Sequence, residues 1–168
     1  MTNAIEFFVA GIPVPGGSKR AFALRRKDGS FVTRANGTAV VNVIDSAGRR
    51  NKDWRASVAH EARLELGEQS PFEGPLSLRI TFFMPRPRSH YRTGSYSAVL
   101  RDDAPYWHTN TPDVLKLTRS TEDALTGIAW LDDKQVVLQV AGKVYGPRPG
   151  AQIVVTRSLT RSELPVTF

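Results

Sequence analysis

The stretch that decides the reading of this chain is residues 111–135, Thr-Pro-Asp-Val-Leu-Lys-Leu-Thr-Arg-Ser-Thr-Glu-Asp-Ala-Leu-Thr-Gly-Ile-Ala-Trp-Leu-Asp-Asp-Lys-Gln. Its first part predicts a helix over residues 112–126. Thr111 is a typical N-cap and Pro112 suits the first helical position, where no backbone N–H is needed. Gly127 is a natural stop, because glycine readily adopts the left-handed conformation that ends helices.

Three aspartates flank this helix: Asp113 at its start, and the pair Asp132-Asp133 after its end. Carboxylates are the ligands that divalent metals such as Mg²⁺ prefer. Each also has an ordinary interpretation, because an acidic residue favours a helix start and Asp is common in turns. The helix is roughly 20 Å long at about 1.5 Å per residue, so spacing alone makes only a weak case that the three meet.

A fourth aspartate, Asp123, lies ten residues after Asp113. The two are roughly 15 Å apart along a helix axis, so they cannot share one ion. We expect Asp123 to pair with Arg119, four residues earlier on the same face, or to cap a neighbouring element. Arg119 itself is a candidate either for contacting a phosphate or for a surface ion pair.

The charge balance points to a polyanionic partner. The chain of 168 residues carries a net charge of +7, and residues 1–60 hold ten basic and four acidic side chains, a net +6. Such a concentrated positive field is typical of proteins that bind nucleic acid. The alternative is a basic protein with no such partner.

Cysteine is absent, which excludes disulfides, thiolate nucleophiles and cysteine-bound zinc. The N-terminus lacks the basic region of a signal peptide, and no apolar run approaches membrane-spanning length. These features favour a cytoplasmic protein without membrane segments.

Hydrophobic patterning predicts one α+β domain over residues 1–168, with a mixed β-sheet and two main helices. The clearest helix spans residues 49–66, where Trp54 and three further apolar residues recur every four positions before Gly67. Asn36-Gly37 between apolar runs predicts a hairpin turn. Residues 85–110 are read as a long loop. Predicted strands cover residues 4–10, 31–33, 38–43, 76–84, 136–144 and 152–158.

The motif as a whole resembles the signature of the RusA-like endodeoxyribonucleases, Holliday-junction resolvases found in phages and prophages. That signature runs Pro-Asp-x-Asp-Asn-x-x-Lys, then Asp-Ala-Leu, a Gly, and an Asp-Asp pair before a strand. This chain has Pro112-Asp113, Asp123-Ala124-Leu125, Gly127 and Asp132-Asp133 in the same register, without a gap. The likeness is looser elsewhere, in the Gly-x-Pro-x-Pro segment from Gly11 and in Pro85-Arg86-Pro87.

The resemblance implies a RusA-like fold and metal-dependent hydrolysis of phosphodiester bonds in branched DNA, above all four-way junctions, during recombination and repair. It implies a homodimer that uses Mg²⁺, with Mn²⁺ as a substitute. The implied metal ligands are Asp113, Asp132 and Asp133, with Arg119 or Lys143 stabilising charge on the phosphate. For a phage-encoded protein the compartment would be the host cytoplasm.

Two positions depart from the signature: the second aspartate is Leu115 here, and the asparagine is Lys116. The loss of one carboxylate leaves open a non-catalytic protein that binds junctions through an incomplete metal site. A third interpretation is a basic adaptor that binds another protein.

The remaining candidate residues are basic side chains expected to contact DNA. A loop with Arg86, Arg88, His90, Tyr91 and Arg92 is a basic-aromatic cluster that could grip an opened junction, or a mobile surface loop. His108, close to Asp113 in sequence, is either an assistant of the site or incidental. The expected DNA-binding residues are Lys19, Arg20, Arg25, Arg26, Lys27, Arg86, Arg88, Lys116 and Lys143.

Overall fold

The computed structural model describes residues 3–17, 19–45 and 48–157, without side-chain detail for residues 19, 20, 44 and 45. This part of the chain forms a four-stranded mixed sheet, a two-stranded sheet and two α-helices, which confirms the predicted α+β class. The elements are β1 (Ala4–Ala10), β2 (Lys19–Ala23), β3 (Val41–Asp45), α1 (Gly48–Leu66), β4 (Leu76–Pro85), α2 (Val114–Leu125), β5 (Val136–Gly146) and β6 (Gly150–Arg157).

The main sheet has the strand order β1-β6-β4-β5. β1 pairs antiparallel with β6, and β6 pairs antiparallel with β4. β4 and β5 are parallel, so the chain must cross over between them, and it does so through residues 86–135, which include α2. β5 is last in the strand order and so forms one edge of the sheet, where it contacts α2, the helix that carries the candidate site.

The hydrophobic core lies between one face of this sheet and the two helices. Alternate residues of β4 from Leu76 to Met84 are buried, whereas Arg79 between them is exposed. The predicted apolar face of α1 is confirmed, because Trp54, Val58, Ala62 and Leu66 are all buried.

Polar side chains also join the two helices inside the core. The indole Nε1 of Trp54 donates to Thr121 Oγ1 at 3.3 Å, and Asn51 Nδ2 donates to Ser120 Oγ at 2.5 Å. Thr121 in turn donates to the carbonyl of Leu117 at 3.0 Å. Buried polar groups need such partners, so these bonds set the rotation of α2 and decide which of its residues face outward.

Several element boundaries differ from the sequence-based prediction. α2 begins at Val114 and its N-cap is Asp113, so the assignment of Thr111 as N-cap and Pro112 as first helical residue was wrong. The Thr111–Pro112 peptide bond is cis, a conformation of the preceding turn. The stop at Gly67 is confirmed: its φ is +59° and its N–H donates to the carbonyl of Arg63.

The segment from residue 19 to residue 45, here called the β-arm, forms its own small sheet from β2 and β3. β2 was not predicted. The turn at Asn36-Gly37 is confirmed by the bond from the Gly37 N–H to the Arg34 carbonyl and by the Thr33–Ala39 bridge. Residue 158, the last residue of a predicted strand, lies outside the described residues. Among the helices described, none is long and apolar enough to cross a membrane.

Candidate active site

α2 keeps the predicted metal ligands apart within one chain. Asp113 is the N-cap of this 12-residue helix. Asp133 contacts the other end, where its Oδ1 accepts hydrogen bonds from the Thr126 hydroxyl and from the Trp130 Nε1 at 3.1 Å. The helix is about 18 Å long at 1.5 Å per residue. Across residues 3–17, 19–45 and 48–157, no three acidic or histidine side chains are grouped so as to hold a metal.

The Asp113 carboxylate is exposed and is not used as a cap. An N-cap aspartate commonly accepts a backbone N–H of the first turn, but Asp113 accepts none. Its Oδ2 lies 3.3 Å from Lys116 Nζ, with both side chains more than half exposed. Such an exposed ion pair contributes about 0–1 kcal/mol to stability, so a divalent metal ion could displace the lysine from the carboxylate.

Asp132 stabilises the short 3₁₀ turn Asp133–Gln135. Its Oδ1 accepts the Lys134 backbone N–H at 3.0 Å, and the Gln135 side chain accepts the Asp132 N–H in return. These contacts hold the pKa of Asp132 below its ordinary value, first through the backbone bond and then through the Lys134 side chain. The turn in turn fixes the position of Asp133, so Asp132 has a structural role whether or not it also binds metal.

Asp133 is anchored by one oxygen, while its Oδ2 has no hydrogen-bond partner within the described part of the chain. Glu122, one turn before the end of α2, lies near it. Burial raises the pKa of Glu122, and the negative charge of Asp133 raises it further. Glu122 was not predicted as a site residue, because no motif marks it and it comes close to Asp133 only through the turn at Gly127.

The expected pair of Asp123 with Arg119 was wrong. Asp123 instead lies 3.6 Å from Arg55 on α1, and Arg55 also donates to the Asp123 carbonyl at 3.1 Å. The packing of the two helices offers Asp123 a partner that the four-residue spacing within α2 did not suggest. Arg119 remains exposed on the outer face of α2, without a hydrogen bond or ion pair to any described residue.

Lys143 positions the backbone that leads into Asp113. Its Nζ donates to the carbonyls of Asn110 and Pro112, the latter at 2.5 Å. These carbonyls belong to residues three and one positions before the N-cap Asp113, so the lysine ties this segment to β5. Its predicted role as a DNA contact stays a prediction.

His108 lies in the same region but contacts none of the three predicted ligands. It is buried against Tyr145, with ring centroids 4.8 Å apart, and its Nδ1 has no partner among the described residues. Burial lowers the pKa of His108, and the charge of Lys143 lowers it further.

The long loop presents two arginines without a carboxylate partner. Arg86 donates to the Pro105 carbonyl at 2.8 Å and lies 5.1 Å from the Tyr145 ring, and the Arg88 guanidinium has no hydrogen-bond or ion-pair partner in the described region. Arg92 differs, because it makes a bidentate pair with Asp102 at 2.9 and 3.0 Å. The loop also holds two 3₁₀ turns, at Arg88–His90 and Gly94–Tyr96.

The tip of the β-arm carries Arg25, Arg26 and Lys27, all exposed and none paired with a carboxylate in the described residues. The Arg25 guanidinium lies 4.2 Å above the Phe31 ring, and Arg26 donates to the Phe31 carbonyl at 3.3 Å. Lys19 and Arg20 lie in β2, but their side chains are outside the described part. With one carboxylate, Asp28, beside these three cations, the tip carries a net positive charge.

Comparison with known proteins agrees with the motif. The family model described as Endodeoxyribonuclease RusA matches residues 25–156, from the β-arm to the end of β6. A comparison with curated proteins gave no match. The matched region covers most of the chain and includes all three aspartates. The chain therefore belongs to the RusA endodeoxyribonuclease family, whose members resolve Holliday junctions.

Proposed function

We propose that this protein is a metal-dependent endonuclease that resolves four-way and other branched DNA as a homodimer, using Mg²⁺ or Mn²⁺. The observation that carries the proposal is the placement of the family's acidic positions. Asp113 and Asp133 are both exposed, at opposite ends of one helix, in a chain that matches the RusA family over residues 25–156. A single nuclease domain over residues 1–168 and a cytoplasmic location are part of this proposal.

The separation of the carboxylates along α2 is the reason to infer two copies. A two-fold axis across the middle of α2 would place Asp113 beside Asp133 of the partner subunit, at two equivalent sites. Each site would then contain carboxylates from both chains, which one chain alone does not bring together. Two sites related by symmetry also suit a four-way junction, in which two matching strands are cut.

Exposed apolar side chains around α2 support such a pairing. Leu115 on α2 is 75% exposed, and Leu131, Val137 and Val140 on the adjoining turn and β5 are also exposed. β5 is an edge strand, and edge strands with exposed apolar residues pair readily with other chains. This surface would be buried by a second copy.

The chemistry follows from the groups that meet at each site. A metal held by Asp113 and the partner's Asp133 would supply a nucleophilic water and stabilise charge on the scissile phosphate. Arg119, which is exposed on the outer face of α2 and has no partner among the described residues, would contact that phosphate. Lys143 holds the segment before Asp113, and the Trp130 indole holds Asp133.

The first test is cleavage of a synthetic four-way junction in Mg²⁺ or Mn²⁺. We expect paired symmetric nicks with the native protein and none with Asp113→Asn or Asp133→Asn. Tight binding without nicks in either metal would refute the enzyme.

A mixing experiment tests the shared site. When Asp113→Asn and Asp133→Asn proteins are mixed and allowed to exchange subunits, each mixed dimer has one site with both aspartates intact. Single-strand nicking should return to about a quarter of the native rate, because about half of the dimers are mixed and each mixed dimer has one intact site out of two. If each site lies within a single chain, every site in the mixture lacks one aspartate, and no nicking should return.

The alternative is a protein that binds junctions without cutting them. Its supporting observation is Leu115, an apolar residue at the family's second aspartate position. Because Leu115 is exposed, the core does not require leucine there. Leu115→Asp should therefore leave the core of the subunit intact, but it removes an apolar side chain from the proposed subunit interface, so light scattering must first show that the variant is still a dimer. Cleavage that appears only in this variant would then favour the alternative.

A further inference from the structure

Two adjacent aromatic side chains are exposed just before the candidate active site. Tyr106 is 61% exposed and Trp107 is 62% exposed. Their rings are nearly perpendicular, with centroids 5.1 Å apart and an interplanar angle of 82°. Tryptophan is seldom left in water to this degree, so its exposure calls for a reason.

The backbone beneath the pair is held firmly by β5. Trp107 bridges to Val144, the Tyr145 N–H donates to the Tyr106 carbonyl at 2.9 Å, and the His108 N–H donates to the Lys143 carbonyl at 3.3 Å. The rings are thus presented from an ordered extension of the main sheet. A rigid aromatic surface loses little conformational entropy when a flat ligand stacks on it.

Two cations lie beside the backbone that carries the pair. Arg86 donates to the carbonyl of Pro105, next to Tyr106, and Lys143 donates to carbonyls of the segment between Trp107 and Asp113. Neither cation is paired with a carboxylate in the described residues. Exposed aromatic rings beside uncompensated cations form the combination that binds single-stranded nucleic acid: stacking for the bases and charge for the phosphates.

We propose that Tyr106 and Trp107 form a stacking platform for an unpaired nucleobase of the branched DNA, close to the strand that meets Asp113. This inference rests on the proposed function. It assigns a ligand to residues outside the acidic signature, and it gives the protein a way to distinguish branched DNA, whose bases unstack at the branch, from continuous duplex.

Tryptophan fluorescence offers a direct test, because the other two tryptophans, Trp54 and Trp130, are 4% and 0% exposed. The measurement uses full-length protein with Asp113→Asn to prevent cleavage, without added metal, titrated with a four-way junction or with continuous duplex of the same sequence. We expect the junction to quench emission more strongly than the duplex does. The difference should vanish in the additional variant Trp107→Phe, which keeps a ring but not the indole.

Affinity supplies the second readout. Trp107→Ala should weaken junction binding by about fivefold or more while changing duplex binding little. Tyr96→Leu is the matched control, since Tyr96 is also an exposed aromatic residue of the loop, 65% exposed, and should bind as before.

The outcomes separate the two proposals. Junction binding without quenching, and without an effect of Trp107→Ala, would overturn the platform and leave the proposed endonuclease intact. A protein that fails to bind junctions at all would overturn both. If Trp107 instead packs against a second copy, its emission will depend on protein concentration without DNA, and Trp107→Ala will shift the mass measured by light scattering. That result would also overturn the platform.

Discussion

Replacing Asp133 by Ala and by Asn should separate its structural role from its chemical one. The buried indole of Trp130 donates to Asp133 Oδ1 at 3.1 Å, so the alanine variant leaves this N–H without its acceptor. The asparagine variant keeps an oxygen in the same place and removes only the charge. We expect cleavage to be lost in both variants, whereas stability should fall markedly only in the alanine variant.

The magnitude follows from the contacts. An indole N–H that loses its charged acceptor costs about 1–3 kcal/mol, at the lower end here because Asp133 itself is exposed. The Thr126 hydroxyl adds little, because it also lies 3.1 Å from the Glu122 carbonyl and can turn to that oxygen. Asp133→Ala should therefore lose about 1–2 kcal/mol, or about 2–8 °C in Tm for a chain of this size. Asp133→Asn should lose less than about 0.5 kcal/mol.

Urea denaturation of both variants, alone and combined with Trp130→Phe, measures the coupling between the Trp130 indole and the Asp133 side chain. In the Trp130→Phe background, the difference in free energy of unfolding between the Ala and Asn variants at residue 133 should shrink by about 1 kcal/mol, because the indole donor has been removed. Equal stability of the two Asp133 variants would refute the anchoring role of the indole. Cleavage retained by Asp133→Asn would refute the role of the charge.

Three further predictions concern single features. Lys116→Asn should lower the metal concentration for half-maximal cleavage by up to about fivefold, because Lys116 no longer competes for Asp113; an unchanged titration contradicts this. The pKa of His108 lies below its ordinary value of 6.5, so the unfolded state binds the proton more readily and His108 costs stability as pH falls below about 6.5. Urea denaturation at pH 7, 6 and 5 should show the native protein losing stability relative to His108→Gln as the pH falls; a pH-independent difference contradicts this. Changing residues 25–27 to Gln should reduce the salt slope of junction binding by up to about 0.9 per lost phosphate contact, whereas Arg63→Gln on α1 should leave it unchanged.

Sequence patterns predicted most helices and strands correctly, because apolar spacing and turn residues act within a few positions of the chain. The four-residue spacing of α1 marks one helix face, and Gly67 ends that helix because it adopts a positive φ. The start of α2 was predicted two residues early, since Thr111-Pro112 resembles a helix start but belongs to the turn before it. β2 was missed, because its partner lies some twenty residues away across the β-arm.

The sequence by itself determined the family, the acidic positions and the excess of positive charge, because each is a property of residue types and their order. Only the tertiary structure decided which groups meet. It paired Asp123 with Arg55, brought Glu122 near Asp133, and tied Lys143 to the segment before Asp113. The predicted helix between Asp113 and Asp133 is present, and it keeps the two carboxylates apart because a helix is a rigid spacer whose ends cannot converge within one chain. These contacts join residues distant in sequence, and the packing of α1, α2 and β5 creates them.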